Sequence, residues 1–206
     1  MTGFLDIATT PAVEAAQQAN GSAEFWAEHA KERVFDRFGE AETDFIGGRD
    51  SFYLASVSET GWPYAQHRGG PPGFLKMLDD RTLGMADFRG NRQYITLGNL
   101  ARSDKVSLFL MDYPRKARLK IFAHAEPVDL ARSPDLARRL ATPGYRAKAE
   151  RGLLFHLEAF DWNCPQHITP RFTAAELERS LGPLRDRLAA LERENAELRG
   201  RLSPAP

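Results

Sequence analysis

The chain has 206 residues, of which 42% are hydrophobic and 27% charged, with 28 basic and 28 acidic side chains. This composition is typical of an ordinary globular domain with a full core and room for an appendage, and it excludes a disordered chain. The balanced charge, without a long lysine- and arginine-rich block, argues against a nucleic-acid surface, and no apolar run is long enough to cross a bilayer.

The N-terminal region is predicted to be helical. Thr10 before Pro11 has the pattern of an N-cap followed by proline at the first helical position, and Ser22 is a candidate cap for a second helix over residues 23–38 that ends at Gly39. The N-terminus has neither the basic nor the apolar region of a secretory signal, and Cys164 is the only cysteine. We therefore expect a cytoplasmic protein without an internal disulfide.

From residue 45 the pattern changes to strands. "SFYLASVS", the turn "ETGW" and "PYAQHR" predict a hairpin, and further strands are predicted at "FLKM", "TLGMADF", "KVSLFLMDY", "RLKIFAHAEPV" and "LLFHLEAF". The "KVSLFLMDY" strand is apolar on both faces and is expected to be buried. Residues 132–151 are predicted helical, with Pro143 breaking the middle. Because no long helix falls regularly between strands, we expect an antiparallel barrel with helices at its edges.

The C-terminal tail has a heptad pattern. Leucines and one asparagine alternate spacings of four and three at Leu177, Leu181, Leu184, Leu188, Leu191, Asn195, Leu198 and Leu202. We predict a continuous helix from near Pro183 that forms a parallel two-stranded coiled coil, in which Asn195 pairs with its twin and fixes the register. The alternative is a helix packed back on its own domain, and the end "SPAP" is expected to fray.

Two segments place cationic side chains at strand ends. In "QHRGGPPGF" a strand ends in His67 and Arg68 before three glycines and two prolines; in "FRGNRQY" Arg89 and Arg92 precede a short helix for which Asn91 is a candidate cap. Arginine forks and the N–H groups of a helix N-terminus bind phosphate, so the two segments together predict a phosphate cradle. Each arginine taken alone is better explained as a solvated surface charge, and neither nucleotide-binding glycine fingerprint is present.

A third segment, "FDWNCPQHITPRF", follows the last predicted strand. Its tryptophan, amides and arginine suit a flat aromatic ligand with an anionic end. Cys164 and His167 are three residues apart, but zinc needs about four ligands and a thiolate nucleophile needs a base, so we predict no metal and a structural cysteine. His124 and His156 are also interpreted as structural, and Asp79 and Asp80 as turn residues.

Taken together, residues 30–172 resemble the pyridoxamine 5′-phosphate oxidase-like split barrels, most closely a branch of predicted flavin-nucleotide-binding proteins. The resemblance implies a mainly β fold with flanking helices: a six-stranded antiparallel split β-barrel, here extended by the C-terminal helix. It also implies a homodimer that holds FMN at its interface. On this reading the domains are a helical lead at 1–44, the barrel at 45–172 and a coiled-coil tail at 173–206.

The same resemblance supplies candidate cofactor contacts. Gln66 stands where the oxidases have an arginine, Asn91 and Arg92 fall on a phosphate-binding serine and arginine, and Gln93 on a lysine. Arg118 lies near a flavin-contacting glutamine, and Trp162 and Arg171 resemble residues that close over the cofactor. The full set of candidate contacts is Gln66, His67, Arg68, Phe88, Arg89, Asn91, Arg92, Gln93, Arg118, Trp162, Gln166, His167 and Arg171.

The resemblance implies an FMN-dependent oxidoreductase acting on a small molecule. On this interpretation "QHR" contacts the flavin and its phosphate, and "GGPPGF" shapes a backbone close to the ring. The oxidase pattern for gripping pyridoxamine phosphate is not reproduced, so vitamin B6 synthesis is not implied. The alternative is a flavin-binding carrier or redox sensor without turnover whose coiled coil is its output; related split barrels use the deazaflavin F420 or haem.

Overall fold

The structure, a computed structural model, describes residues 3–29, 35–162 and 165–202, and divides into two compact units. The first unit contains the chain up to Asp112 together with Lys116–Gln166. The second contains Tyr113–Arg115 and the chain from His167 onward. The three domain ranges expected from the sequence stay a prediction.

Within the described residues, the first unit begins with four short helices, α1 (Phe4–Ala8), α2 (Pro11–Ala19), α3 (Ala23–His29) and α4 (Glu40–Gly47). The predicted cap of α2 is confirmed, because Thr10 Oγ1 accepts a hydrogen bond from the Val13 N–H at 3.4 Å. Helix α4 was not predicted. Its N-terminus is fixed by the Glu42 carboxylate, which accepts a hydrogen bond from the Gly39 N–H at 2.9 Å.

The predicted helix over residues 23–38 is wrong at its C-terminal end. Residues 30–34 lie outside the described residues, and Phe35–Phe38 is not helical. The rings of Phe35 and Phe38 instead stack on Phe160, with centroids 5.2 and 5.4 Å away. Packing of these two rings on the sheet replaces the helix that the local sequence favours.

Seven strands form one antiparallel sheet in the described part of the chain: β1 (Ser51–Val57), β2 (Pro63–Gly69), β3 (Leu75–Asp79), β4 (Thr82–Phe88), β5 (Lys105–Asp112), β6 (Ala117–Val128) and β7 (Ala149–Trp162). Their order is β2-β1-β5-β6-β7-β4-β3, so β2 and β3 are the edges and the ladder is not closed. The mainly β class with flanking helices is confirmed. The count of six is wrong, because every strand segment predicted along the chain forms its own strand.

Two strands differ from their predictions. Strand β5 is not buried on both faces: Val106, Leu108 and Leu110 enter the core, while Ser107, Phe109 and Met111 are half-buried on the outer face. Strand β7 begins at Ala149 rather than near Leu153, because its first residues pair with the end of β4. The helix predicted over residues 132–151 is therefore limited to α6 (Pro134–Leu140).

The loop in "GGPPGF" seats an aromatic ring in the core. Gly70 donates its N–H to the Asp50 carbonyl at 2.9 Å, and a Cβ on Gly70 would lie 2.7 Å from Cβ of Phe74. Gly73 has φ +78°, a conformation that favours glycine. Phe74 is 1% exposed and stacks on Phe52 at 5.8 Å. The glycines of this loop thus have a packing role.

The second unit is dominated by α7 (Ala174–Leu202), a helix of 29 residues. Its start is a capping box: Thr173 Oγ1 accepts from the Glu176 N–H at 3.2 Å, and the Glu176 carboxylate accepts from the Thr173 N–H at 2.8 Å. The prediction that the helix starts near Pro183 is wrong, because the helix continues through that proline. Residues 203–206, the end predicted to fray, lie outside the described residues.

A short helix, α5 (Ile95–Leu100), lies between β4 and β5 and completes the elements of the first unit. Among the helices of the described ranges, none combines the length and the apolar character needed to span a membrane.

Candidate functional site

A polar pocket of about 210 Å³ lies where the end of β2, the end of β4, the loop at residues 89–94, helix α5 and the start of β7 come together. We call it the arginine pocket. Its lining consists of Gln66, Arg68, Asp87, Phe88, Gly90, Asn91, Arg92, Tyr94, Thr96, Leu97, Leu100, Glu150, Arg151 and Leu153.

Asp87 organises the floor of the arginine pocket. Its Oδ1 accepts a hydrogen bond from Arg68 Nη1 at 2.7 Å, and its Oδ2 accepts one from Arg151 Nη1, also at 2.7 Å. The side chains of Asp87, Arg68 and Arg151 are 11%, 14% and 20% exposed, so the three charges are largely shielded from solvent. Strands β2 and β4 are not neighbours in the ladder, so the Arg68–Asp87 ion pair joins two parts of the sheet that backbone hydrogen bonds do not.

Arg151 stays protonated in this arrangement. Burial alone would lower the pKa of Arg151, but the hydrogen bond to Asp87 and the charges of Asp87 and Glu150 outweigh burial and raise that pKa above its ordinary value. The floor of the pocket therefore carries two fixed cations held by one carboxylate.

The rim of the pocket is formed by the loop at residues 89–94. Arg92 and Tyr94 both have positive φ, 61° and 53°, which is uncommon outside glycine and fixes the direction of both side chains. Tyr94 Oη accepts a hydrogen bond from Arg92 Nε at 3.4 Å and donates to the Glu150 carboxylate at 3.2 Å. The hydrogen bond with Tyr94 and the negative charge of Glu150 raise the pKa of Arg92, which lies exposed at the rim.

Asn91 shapes the same loop but does not cap α5. Its Oδ1 accepts a hydrogen bond from the Gln93 N–H at 3.1 Å, which closes a local Asx turn. The N-cap of α5 is Tyr94, in a left-handed conformation and without a side-chain cap. The predicted capping role of Asn91 is therefore wrong, although its side chain does line the pocket.

The opposite wall of the pocket presents an oriented amide. The Thr96 hydroxyl donates a hydrogen bond to Gln66 Oε1 at 2.9 Å. This contact leaves the amide NH₂ of Gln66 as the group suited to donate to a ligand. Thus Gln66, Arg68, Phe88, Asn91 and Arg92, all candidates from the sequence, line one pocket.

Other candidates in the first unit lie away from the pocket lining. His67 lies between Gln66 and Arg68 in β2, so its side chain is on the opposite face of the strand. It is exposed, and its ring packs edge-on to Tyr53 with centroids 5.7 Å apart. Arg89 Nε lies 3.8 Å from the Glu150 carboxylate, at the outer side of the rim. Gln93, also exposed, donates its N–H within the Asx turn.

The candidates after β5 are distributed over both units. Arg118 lies on β6 opposite Met111, and the Trp162 indole Nε1 donates to Glu42 Oε1 at 2.7 Å. Gln166 belongs to the first unit, and His167 and Arg171 to the second, where the Arg171 guanidinium lies 5.0 Å from the Tyr113 ring centroid. Residues 163 and 164, including Cys164, lie outside the described residues. The cofactor contacts expected of Arg118, Trp162, Gln166, His167 and Arg171 stay predictions.

Five polar side chains of the lining were not predicted from the sequence: Asp87, Tyr94, Thr96, Glu150 and Arg151. Asp87 and Arg151 are cross-strand partners in the β4–β7 register. Asp87 and Arg151 lie 64 residues apart in the chain, so no local motif marks the pair. The early start of β7 was the available signal, and the helix predicted over residues 132–151 obscured it.

The donor set of the pocket fits an anionic ligand with a polar, planar edge. Three arginines face two carboxylates, so the lining carries an excess of positive charge. Arg68 Nε is buried and has no hydrogen-bond partner among the described residues, which leaves one donor of a pocket-lining side chain for a ligand to satisfy. Arginine forks match phosphate, and an oriented amide matches the heteroatom edge of a flavin ring. The residues present thus fit the FMN group.

Comparison with protein families gives one match. The model of the family described as pyridoxamine 5′-phosphate oxidase matches residues 38–157, more than half of the chain. The matched range contains all of the strands except the last part of β7, and it contains the complete lining of the arginine pocket. Among curated proteins, no match was found.

Several solved structures are similar to this chain at low sequence identity. HupZ from Group A Streptococcus is 15% identical, with 66% of this chain and 99% of that chain covered and a TM-score of 0.46. A pyridoxamine 5′-phosphate oxidase candidate from Lactobacillus delbrueckii is 21% identical (61% and 94% covered, TM-score 0.46). An FMN-binding protein from Syntrophomonas wolfei is 14% identical (71% and 97% covered, TM-score 0.45). Likeness at this level carries no argument about chemistry.

Proposed function

Because the chain belongs to the pyridoxamine 5′-phosphate oxidase family, we propose that it is an FMN-binding flavoprotein and an oxidoreductase that acts on a small molecule. The observation that carries the proposal is the arginine pocket, in which an exposed arginine at the rim, two fixed arginines at the floor and an oriented amide face one space.

We assign phosphate binding to the rim. Arg92 is exposed at the rim, and its weak 3.4 Å hydrogen bond to Tyr94 is one that a phosphate oxygen can replace with a stronger charged contact. Asn91 lines the pocket beside it and can add a neutral donor. Arg68, with its buried and unpaired Nε, contributes positive charge from the floor.

We assign ring binding to Gln66 and its supports. Thr96 holds the Gln66 amide in one orientation, and Asp87 holds Arg68 and Arg151 so that neither guanidinium collapses into the space. A bound flavin supplies hydride and electron transfer itself. The task of these side chains is to orient the ring, to set the positive potential around it and to exclude water from its polar edge.

The size of the pocket favours a homodimer in which a second copy completes the site. Small-molecule sites enclose about 300–1,000 Å³, whereas the arginine pocket has about 210 Å³ in one chain. A single chain thus supplies one side of a flavin site. This agrees with the interface position of FMN that the family resemblance implies.

The outer face of β1, β5 and β6 is our candidate for the surface that pairs with the second copy. It carries an apolar groove of about 480 Å³ lined by residues that include Ala55, Val57 and Phe122. Trp62, in the β1–β2 turn, is 76% exposed, and Tyr53 is also exposed beside the groove. Apolar side chains exposed in a contiguous patch of this kind mark protein interfaces.

Reconstitution tests the proposed function. Purified protein is incubated with FMN, freed of unbound flavin by gel filtration, and examined by absorbance in the flavin bands and by native mass spectrometry. We expect two FMN for each dimer. Protein that elutes without flavin under these conditions would refute the proposal.

The oxidoreductase activity is tested separately from binding. NADH or NADPH is added anaerobically to the reconstituted protein, and bleaching of the flavin band is followed. Reduction that is faster than that of free FMN supports an enzyme. Bound flavin that is reduced no faster than free FMN would instead support the flavin-binding carrier or sensor.

A further inference from the structure

We propose that α7 pairs with α7 of a second copy of the chain as a parallel, in-register two-stranded coiled coil. The helix presents a row of exposed leucines: Leu177, Leu181, Leu184, Leu188, Leu191 and Leu198 are 42–66% exposed. A helix whose apolar stripe is exposed over its whole length needs a partner to bury it. The inference is independent of flavin binding.

The spacing defines a heptad register along the helix. Leu181, Leu188 and Asn195 occupy position a, with Leu202 next in the series, and Leu177, Leu184, Leu191 and Leu198 occupy position d. The pattern runs from 177 to 202 without a break, within the limits of α7. Pro183 falls at position c and Gly182 at position b, outside the seam, so a bend there does not interrupt the leucine row.

The charges beside the seam are complementary to a second copy of the same helix. In a parallel coil a residue at g faces the residue at e in the next heptad of the partner helix. Arg187 at g then faces Glu192 at e of the second copy, and Glu194 at g faces Arg199 at e. By two-fold symmetry each attraction occurs twice, which makes four pairs of opposite charge and none of like charge.

Asn195 selects the parallel orientation. In an antiparallel pair every a position faces a d position of the partner, and all four d positions of α7 are leucine. Asn195 would then bury its amide against leucine without a hydrogen-bond partner, which is costly. In the parallel, in-register pair Asn195 faces its own copy, so the two amides hydrogen-bond, and a shift by one heptad would break that bond.

Cysteine cross-linking of the full chain tests orientation and register. In a Cys164→Ser background, Leu198→Cys places a thiol at position d, where parallel helices bring equivalent residues together. The matched control is Arg193→Cys at position f, on the outer side of the same turns. We expect oxidised glutathione to convert the Leu198→Cys chain, but not the Arg193→Cys chain, into a covalent dimer on a non-reducing gel.

Charge reversal tests the pairing itself. One chain carries Leu198→Cys with Arg187→Glu and Arg199→Glu; another carries Leu198→Cys with Glu192→Arg and Glu194→Arg. When either variant chain pairs with a copy of itself, like charges face each other at the e and g positions. We therefore expect disulfide cross-linking of either variant alone to fall strongly. Mixing the two chains restores opposite charges at all four positions, and we expect the mixed disulfide to form preferentially.

The outcomes separate the alternatives. A helix packed on its own domain, or an antiparallel pair, gives no Leu198→Cys dimer and overturns the proposal. Equal cross-linking of the Leu198→Cys and Arg193→Cys chains shows proximity of the tails through the barrel dimer alone and also overturns it. Failure of FMN to bind leaves these results unchanged, so the two proposals fail independently.

Discussion

At the scale of single residues, Asp87 is the side chain on which the arginine pocket depends most. One carboxylate holds Arg68 and Arg151 at 2.7 Å each, and all three side chains are largely shielded from solvent. Removing one member of a buried ion pair leaves the others charged without compensation. Asp87 therefore both shapes the site and stabilises the fold.

We predict that Asp87→Asn lowers the free energy of unfolding by about 3 kcal/mol, since two shielded arginines lose their counter-charge while the side-chain shape is kept. Urea unfolding followed by circular dichroism measures this change. The matched control is Asp135→Asn, which removes the carboxylate of an ion pair with Arg138 whose partners are 85% and 74% exposed. There the expected loss is below about 1 kcal/mol. Equal effects of the two substitutions would contradict the assigned role of Asp87.

Arg92 is the residue that we assign to the FMN phosphate. Arg92→Ala should weaken FMN binding by about 1.5–3 kcal/mol, the usual contribution of a hydrogen bond to a charged group, or roughly ten- to hundred-fold in Kd. Quenching of flavin fluorescence measures the affinity. Arg102→Ala is the matched control, because Arg102 is exposed, pairs with Glu59 and does not line the pocket. An unchanged Kd for Arg92→Ala would remove this residue from the site.

The residues of the site were predictable where local chemistry marks them. Arg68, Asn91 and Arg92 stand beside turns, and a cation at a strand end is visible in the sequence. The partners Asp87 and Arg151 were not predictable in the same way, since only the β4–β7 register brings them together. Asp87 stands near the end of an otherwise apolar strand, and this position was the sequence signal of a paired carboxylate that was overlooked.

At the scale of elements, the loop after β2 shows how packing replaces an expected ligand contact. Gly70 lies so close to Phe74 that a Cβ would meet the Phe74 Cβ at 2.7 Å, and the buried Phe74 ring stacks on Phe52 of β1. The glycines of "GGPPGF" were interpreted from the sequence as a backbone beside the flavin ring. None of them is among the lining of the arginine pocket.

We predict that Gly70→Ala destabilises the protein by about 1–3 kcal/mol, because the added methyl group overpacks the core side of the loop. Thermal and urea unfolding measure the loss. Gly98→Ala is the control: it lies in α5, has no neighbouring atom within 4 Å of the added Cβ, and should be neutral or slightly stabilising. A Gly70→Ala chain as stable as the Gly98→Ala chain would show that Phe74 can move aside without cost.

Strands were more predictable than helices in this chain. The hairpin β1–β2 and strands β4 and β6 have alternating or β-branched patterns bounded by turn residues, and each forms close to its predicted range. The helices over 23–38 and 132–151 were overextended, because aromatic packing on Phe160 and the pairing of Ala149 with Phe88 take those residues into other contacts. Such long-range contacts leave no periodic signal in the local sequence.

At the scale of the whole molecule, side chains connect strands that are not neighbours in the sheet, while the ladder itself stays open. The Arg68–Asp87 ion pair and the packing of Phe52 on Phe155 join strands that backbone hydrogen bonds do not pair. No backbone hydrogen bonds join β2 to β4, and arginines line the space between them. This polar space is where we propose that FMN binds. A closed barrel would fill that space with side chains.

The central claim is that the arginine pocket binds FMN by contacting the phosphate group of FMN. The most direct test compares FMN with riboflavin, which lacks the phosphate. Both are titrated into the full-length protein under identical salt, with flavin fluorescence as the readout. We expect one FMN to bind per chain, about ten- to hundred-fold more tightly than riboflavin, which is the usual effect of one charged hydrogen-bonded contact. Equal affinity for the two flavins, or binding of neither, would contradict it.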